Sequence, residues 1–173
     1  QDVLDAPAGM VAELVGGALH LQPRPRARHA FASSALGGKI GSPFGLGDGG
    51  PGGWWIIDEP ELHLGADVLV PDLAGWRRER LTTLPDAAFT LAPDWVCEVL
   101  SPRTRAFDLT EKRDRYAAAG VAHLWFVDPD ARTLEAFALE GGRWVLVRAL
   151  HAAAEVALPP FAAVPFDLGA LWA

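Results

Sequence analysis

Residues 95–129 read WVCEVLSPRTRAFDLTEKRDRYAAAGVAHLWFVDP, and this stretch decides the fold. Residues 95–100 form a short β-prone run with one carboxylate in its middle, and residues 123–127 form a second such run. Between them, residues 106–119 have a helical pattern, and Gly120 is a natural C-terminal stop. Strands on both sides of a crossover helix predict one mixed sheet with helices packed on it.

Upstream of this core, residues 10–15 and 18–21 flank Gly16-Gly17, a strong signal for the turn of a β-hairpin. A helix is predicted from about residue 26 to residue 40, and a Gly-Gly pair weakens its far end. Residues 41–53 (GSPFGLGDGGPGG) are rich in Gly and Pro, which predicts a flexible connection.

The remaining strands are predicted on both sides of the crossover helix, at residues 54–57, 61–64, 67–73, 133–139 and 144–150. Gly141-Gly142 marks the turn between the last two, and the tail is irregular until a short apolar piece near its end. The predicted class is therefore α/β, with an N-terminal hairpin and helix before the sheet. A length of 173 residues fits a single domain over residues 1–173.

Composition limits the functional classes. Half of the residues are hydrophobic and seven are Trp, which is enough apolar surface for a core and excludes a disordered chain. The single cysteine, Cys97, excludes an internal disulfide and a cysteine-based zinc site and fits a cytoplasmic protein. No apolar run reaches the roughly 20 residues of a membrane-spanning helix. The first residues do not resemble a signal peptide, and Gln1 in place of an initiator Met suggests a trimmed or renumbered start.

The charge balance opposes nucleic-acid binding, because 22 acidic residues outnumber 15 basic residues and the net charge is −7. The arginines nevertheless cluster in three places, so a local patch for phosphates and a solvated, salt-bridged surface both remain open. The clusters are Arg24, Arg26 and Arg28; Arg77, Arg78 and Arg80; and Arg103, Arg105, Arg113 and Arg115.

Two carboxylates stand in apolar surroundings. Glu98 lies in mid-strand where an apolar residue is expected, and a buried carboxylate is costly unless it is paired or binds a metal. Asp72 follows Pro71 at the end of an apolar run. If the two converge, they favour a hard cation such as Mg²⁺. The alternative is that each acid caps a loop or pairs with an arginine.

Lys112 lies in the predicted crossover helix and shares one helix face with Asp108 and Tyr116, since the three are four residues apart. A simple Asp108–Lys112 ion pair explains this spacing. In the other interpretation, the face looks onto the sheet edge that carries Asp72 and Glu98, and the lysine acts on a metal-bound water or on a phosphate.

Nearly the whole chain resembles the Uma-two family of restriction endonucleases, a bacterial branch of the PD-(D/E)XK nuclease superfamily. The specific part is residues 67–129, and the motifs that carry the resemblance are Pro71-Asp72, Glu98-Val99-Leu100-Ser101-Pro102, Asp108 with Lys112 and Tyr116, Gly120-Val121, Trp125 and Val127-Asp128-Pro129. Glu13-Leu14-Val15 with Gly17, His29 and the closing FDLGALW (166–172) are also similar.

The resemblance implies a restriction-endonuclease-like core in which Asp72 and Glu98 are metal ligands and Lys112 is the superfamily lysine, placed on the helix. Leu100 stands where the superfamily usually has that lysine. Glu13 is implied as a further acid near the metal. Gly16, Ala18 and His123 depart from the family's usual residues, which puts the surroundings of these groups in question.

From these observations we expect a Mg²⁺-dependent DNA endonuclease, with Mn²⁺ as a possible substitute, in which Asp72, Glu98 and Lys112 are catalytic. The alternatives are an inactive nuclease-fold protein that binds nucleic acid or a protein partner, and a metal-dependent hydrolase of another substrate. Trp54 and Trp55 are adjacent, so one of them faces outward, where it packs against a second copy in a homodimer or stacks on a base.

Three further residues have weaker interpretations. Glu61 and His63 share one face of a strand and belong either to the site or to a solvated edge. His29 is either a group near the site or a structural histidine.

Overall fold

The computed structural model describes residues 10–23 and 26–173. Its strands are β1 (Met10–Val15), β2 (Ala18–Pro23), β3 (Trp54–Asp58), β4 (Leu62–Leu64), β5 (Asp67–Leu69), β6 (Leu73–Arg77), β7 (Trp95–Val99), β8 (His123–Asp128), β9 (Thr133–Glu140), β10 (Arg143–His151), β11 (Glu155–Val156) and β12 (Phe166–Asp167). Its α-helices are α1 (Ala27–Ile40), α2 (Arg105–Phe107) and α3 (Arg113–Ala118). A π-helical turn, Asp108–Lys112, joins α2 to α3, and a 3₁₀ turn, Leu168–Leu171, closes the chain.

A six-stranded mixed sheet forms the centre of the molecule, in the order β10-β9-β8-β7-β6-β3. The strands β7 and β8 are parallel, and the helical segment 105–118 crosses over between them, while every other neighbouring pair in this sheet is antiparallel. The predicted α/β class, with strands on both sides of a crossover helix, is confirmed.

The prediction of one sheet is wrong, because the N-terminal hairpin belongs to a second sheet of four antiparallel strands in the order β2-β1-β5-β4. The predicted strand at residues 67–73 ends early: β5 pairs with β1 and β4, and the chain then passes through residues 70–72 into β6 of the large sheet. Pro71 lacks a backbone N–H and cannot continue a ladder, which is the physical reason for the break.

The two faces of the large sheet pack against two separate apolar clusters. Along β7, Trp95, Cys97 and Val99 point to the cluster that also contains α1, whereas Val96 points to the cluster that contains Tyr116 of α3. Because side chains alternate along a strand, Glu98 shares the face of Val96. The crossover helix therefore covers the face that carries Glu98.

The Gly- and Pro-rich segment also differs from expectation. Residues Gly41–Leu46 form a π-helical turn that continues α1, and Pro43 and Phe44 are buried. The ring of Phe44 contacts Phe161 at a centroid distance of 4.8 Å. An aromatic anchor thus fixes the first half of a segment that composition alone predicted to be flexible. In the tail, β11 and β12 form a small two-stranded sheet within a stretch predicted to be irregular.

Within the described residues, no helix has both the length and the apolar character needed to cross a membrane.

Candidate active site

Asp72, Glu98, Lys112 and Glu13 all line one cavity of about 370 Å³ at the junction of the two sheets. The register places the first two together, since Leu73 pairs with Cys97 across β6 and β7 and Asp72 therefore stands opposite Glu98. Lys112 reaches the same place from the π-helical turn, and Glu13 reaches it from β1. Four groups from four elements therefore surround one space.

Lys112 is held in the wall of this cavity by three oxygen atoms. Its Nζ lies 2.7 Å from Glu98 Oε1 and 2.9 Å from Glu13 Oε1, and it donates a hydrogen bond of 3.1 Å to the Val70 carbonyl. Burial by itself would lower the pKa of Lys112, but the two carboxylates outweigh it and hold this pKa well above its usual value. The ion pair with Asp108 does not form, so that interpretation of the helix spacing is wrong.

Glu98 is almost completely buried, with 2% of the residue exposed. The Tyr116 hydroxyl donates a hydrogen bond of 2.6 Å to its Oε1, the same atom that Lys112 contacts. Burial raises the pKa of Glu98 well above its usual value, the positive charge of Lys112 opposes this rise, and the neighbouring carboxylates add to it. Glu98 is therefore a carboxylate whose ionised form needs nearby cations.

Glu13 serves chiefly to position other groups. Its Oε1 accepts a hydrogen bond of 2.8 Å from the Val70 amide besides the Lys112 contact, and its Oε2 accepts one of 2.9 Å from Gln22. Its contact with the ammonium group places Glu13 to orient Lys112, and its part in binding a metal stays a prediction.

Asp72 lies at the rim of the same cluster, with 16% of its side chain exposed. Its Oδ2 accepts a hydrogen bond of 2.7 Å from the Val99 amide, and its Oδ1 lies 3.3 Å from His29 Nε2. Burial by itself would lower the pKa of His29, but the hydrogen bond and charge of Asp72 hold it above its usual value. His29 therefore lies beside the candidate site, in contact with Asp72, and its role there stays a prediction.

Asp108 is a further acid that the sequence interpretation assigned to a helix ion pair. It lines the cavity and is 3% exposed. Burial raises its pKa to about 6, the charge of Lys112 and a hydrogen bond with Thr104 oppose the rise, and Asp72 and Glu13 add to it. The feature of the sequence that could have identified Asp108 as part of the site is its position on the helix face shared with Lys112 and Tyr116.

Arg26 and Arg103 supply positive charge around the cavity, and both side chains are exposed. Other members of the predicted clusters are engaged with the protein itself: Arg28 pairs with Asp130, Arg80 with Asp94, Arg105 with Asp128, Arg115 with Asp67, and the guanidinium groups of Arg77 and Arg78 lie over Trp54 and Trp55. The salt-bridged interpretation therefore holds for most of the clustered arginines, whereas a phosphate patch at Arg26 and Arg103 stays a prediction. Arg24 lies outside the described residues.

The groups present fit one hard cation. Mg²⁺ is usually bound through one or two carboxylates, keeps several waters, and Asp72 and Glu98 offer such oxygen donors on one cavity wall. In the described part of the chain, no three His, Cys, Asp or Glu side chains form a group that could hold a metal ion by themselves. The donor set therefore suits a partly hydrated ion and not a closed structural metal site.

Two weaker candidates lie outside this cavity. Glu61 Oε1 and His63 Nε2 form an exposed contact of 2.6 Å, so these residues belong to a solvated edge. Trp54 is buried, and Trp55 donates a hydrogen bond of 2.8 Å to the Leu81 carbonyl beneath the Arg78 guanidinium. The predicted homodimer receives no support from these two tryptophans and stays a prediction.

Comparison with known proteins gives two positive findings. The family model Uma2, described as "Putative restriction endonuclease", matches residues 2–168. The crystal structure of a putative nuclease belonging to DUF820 from Anabaena variabilis ATCC 29413 superposes with a TM-score of 0.77 at 22% identity, covering 97% of this chain and 93% of that chain. At this identity the likeness shows a shared fold. No curated protein matches the chain.

Proposed function

Because the chain belongs to the Uma2 family of restriction endonucleases, we propose that it is a metal-dependent endonuclease that hydrolyses phosphodiester bonds in DNA. The family match and the fold of the solved nuclease make it a nuclease-family protein. The observation that supports the finer assignment is the convergence of Asp72, Glu98 and Lys112 on one cavity.

Each of the three residues has a distinct part in the proposed reaction. Asp72 and Glu98 would hold Mg²⁺, which supplies Lewis acidity toward the scissile phosphate and a bound water of lowered pKa. Lys112 would orient the attacking hydroxide or balance the negative charge that develops on the phosphate. Glu13 and the Val70 carbonyl keep the ammonium group in place for either task.

The first prediction is that purified protein nicks or cuts DNA in the presence of Mg²⁺ or Mn²⁺ and that EDTA abolishes this cleavage. Supercoiled plasmid, linear duplex and single-stranded DNA should be assayed in parallel. We expect Glu98→Gln and Asp72→Asn each to reduce the rate by at least about 100-fold, since removal of one preorganised charged group from an active site typically costs this much.

Glu61→Gln is the matched control, because it makes the same chemical change at an exposed carboxylate outside the cavity. Lys112→Met is less informative alone, since it leaves the buried Glu13 and Glu98 without their cation and so destabilises the fold. Full activity in EDTA, or in Glu98→Gln, would refute the assignment.

A second candidate function is binding without cleavage, to nucleic acid or to a protein partner. It is favoured by the close pairing of Lys112 with two carboxylates, and within it the net charge of −7 favours a protein partner over nucleic acid. Calorimetric titration with Mg²⁺ separates the two proposals. Absence of Mg²⁺ binding together with absence of cleavage supports the binding protein, whereas metal binding without any DNA cleavage supports a hydrolase of another substrate.

A further inference from the structure

A second cavity, of about 330 Å³, adjoins the one that contains the catalytic candidates. Three residues, Gln22, Arg103 and Thr104, line both cavities, so the two spaces share a wall. The second cavity lies between strand β2 of the hairpin and the start of the crossover helix. A ligand that occupies both cavities would therefore pass over these three residues.

The chemistry of the second cavity differs from that of the first. His20 and Phe107 form part of its lining, and their rings are stacked with centroids 4.3 Å apart and planes inclined by 30°. Leu19 and Leu21, which are 40% and 42% exposed, also border this cavity, although their side chains project from the face of β2 opposite to His20. Among the described residues, no carboxylate lines this cavity, and its one permanent cation is Arg103.

Aromatic and apolar surface next to a single arginine is the combination that binds one nucleotide of a single strand. Bases stack on aromatic side chains irrespective of sequence, while arginine contacts the phosphate that links one base to the next. A purely apolar ligand would make no use of the charge of Arg103. A simple anion would make no use of the stacked rings.

The burial of the catalytic candidates and the small volumes of the two cavities argue against binding of a paired duplex in these cavities. Glu98 and Lys112 are each only 2% exposed, so a phosphate must enter the first cavity to reach them. Cavities of about 370 and 330 Å³ are at the small end of the range for single ligands. Each can take one phosphate or one base, and enzymes that need such access use an unpaired strand or pull a nucleotide out of the duplex.

We propose that the second cavity is a nucleobase subsite and that the substrate enters as an unpaired strand. The base beside the scissile phosphate stacks against the His20–Phe107 pair, and Arg103 contacts the phosphate between the two cavities. This inference rests on the proposed nuclease function and names its substrate class: single-stranded DNA, or a single-stranded end, flap or bubble in a duplex.

The test is binding of a short oligonucleotide, measured by fluorescence anisotropy in EDTA and again in Ca²⁺, so that cleavage is not required. Single-stranded DNA should bind at least about tenfold more tightly than the blunt duplex of the same sequence. Phe107→Leu, which keeps apolar packing but removes the aromatic face, should weaken single-strand binding about tenfold, as expected for loss of one stacked base. A 2-aminopurine in the strand should lose its stacking-dependent quenching in this variant.

Phe31→Leu is the matched control, since Phe31 is an exposed aromatic residue that lines neither cavity. Equal or tighter binding of the blunt duplex, or unchanged binding by Phe107→Leu, overturns the subsite. Metal-dependent cleavage confined to blunt duplex also overturns it and leaves the nuclease assignment standing. Single-strand binding that requires Phe107, in a protein that cuts nothing, supports the subsite and refutes the nuclease.

Discussion

At the scale of single residues, the site is defined by an excess of negative charge around one lysine. Lys112 pairs with Glu13 and Glu98, while Asp72 and Asp108 line the same cavity. Buried carboxylates in this proportion disfavour their own ionisation unless positive charge is close. Such a cluster attracts cations but lowers the stability of the fold when no cation is bound. Its presence is therefore better explained by function.

Asp108 gives a prediction for the pH dependence of stability. Its folded pKa of about 6 lies above the usual 3.8, so between about pH 4 and pH 6 the folded protein binds more protons at this group than the unfolded chain. The free energy of unfolding therefore falls as pH rises through this window. Two pKa units correspond to about 3 kcal/mol, which is the upper limit of the effect.

Asp108→Asn should remove this penalty and stabilise the metal-free protein at pH 7 by up to about 3 kcal/mol, less what the hydrogen bond with Thr104 contributes. The advantage should vanish at pH 4. Urea denaturation in EDTA at both pH values measures it, with the exposed Asp114→Asn on the same helix as the control. An equal effect of the two substitutions at pH 7 would contradict the raised pKa.

The sequence predicted part of this cluster, because a carboxylate in an apolar strand marks Glu98 by itself. Lys112 needed the family resemblance, since its spacing equally fits a helix ion pair. Contacts over long separations were beyond prediction from pattern: Glu13 accepts a hydrogen bond from the amide of Val70, 57 positions later. The roles of Arg103 and Asp108 depend on which cavity they face, which only the folded chain determines.

At the scale of elements, the crossover helix contains the π-helical turn Asp108–Lys112 within its buried polar face. A π-turn widens the helix locally and is common at functional sites. Here it joins α2 to α3 while Asp108, Lys112 and Tyr116 all stay buried on the side of the large sheet. The predicted helix at residues 106–119 was thus correct in place, but its internal irregularity has no signal in helix propensity.

Substitution by alanine at two glycines should change the free energy of unfolding in opposite directions. Gly38 lies within α1 with nothing within 4 Å of an added Cβ, so Gly38→Ala should raise the free energy of unfolding by about 0.5–1 kcal/mol. Gly120 follows α3 with a φ of +77° and similar open space, so Gly120→Ala should lower it by about 1 kcal/mol through backbone strain alone.

Chemical denaturation of the two variants gives both values, and each serves as the control for the other because the added methyl group is the same. A neutral Gly120→Ala would mean that the end of α3 tolerates another conformation. Gly37 is a poorer choice for this comparison, since a Cβ there would lie 3.3 Å from Asp58 Oδ1.

At the scale of the whole molecule, the proposed contact with DNA through few arginines predicts that DNA affinity depends only weakly on salt concentration. Among the described residues, Arg26 and Arg103 are the two exposed cations at the cavity, so the slope of log K against log salt for a single strand should be about −1.4. Arg103→Ala should reduce its magnitude by about 0.7, and the exposed Arg143→Ala should leave it unchanged. A slope steeper than about −4 would indicate a broad basic face instead.

The division into two sheets could not be predicted, because the apolar pattern does not determine which strands residues 67–73 pair with. Residues 67–73 read as one strand by hydrophobicity, yet their first half pairs with the hairpin and the rest leads into the large sheet. The central strand–helix–strand unit was predictable, since its order alone determines the crossover. The cavity lies where the unpredicted division brings both sheets together.

The segment between the two sheets, residues 70–72, is bound by Glu13, Lys112 and the Val99 amide, and this constrains how relatives can diverge. A single substitution of Lys112 leaves two buried acids uncompensated, and a single loss of Glu13 removes one of the three oxygen contacts of Lys112 and the acceptor of the Val70 amide. Viable evolutionary paths therefore have to change positions 13, 98 and 112 in concert. We therefore expect these three positions, which belong to the hairpin, the sheet and the helix, to covary among related sequences.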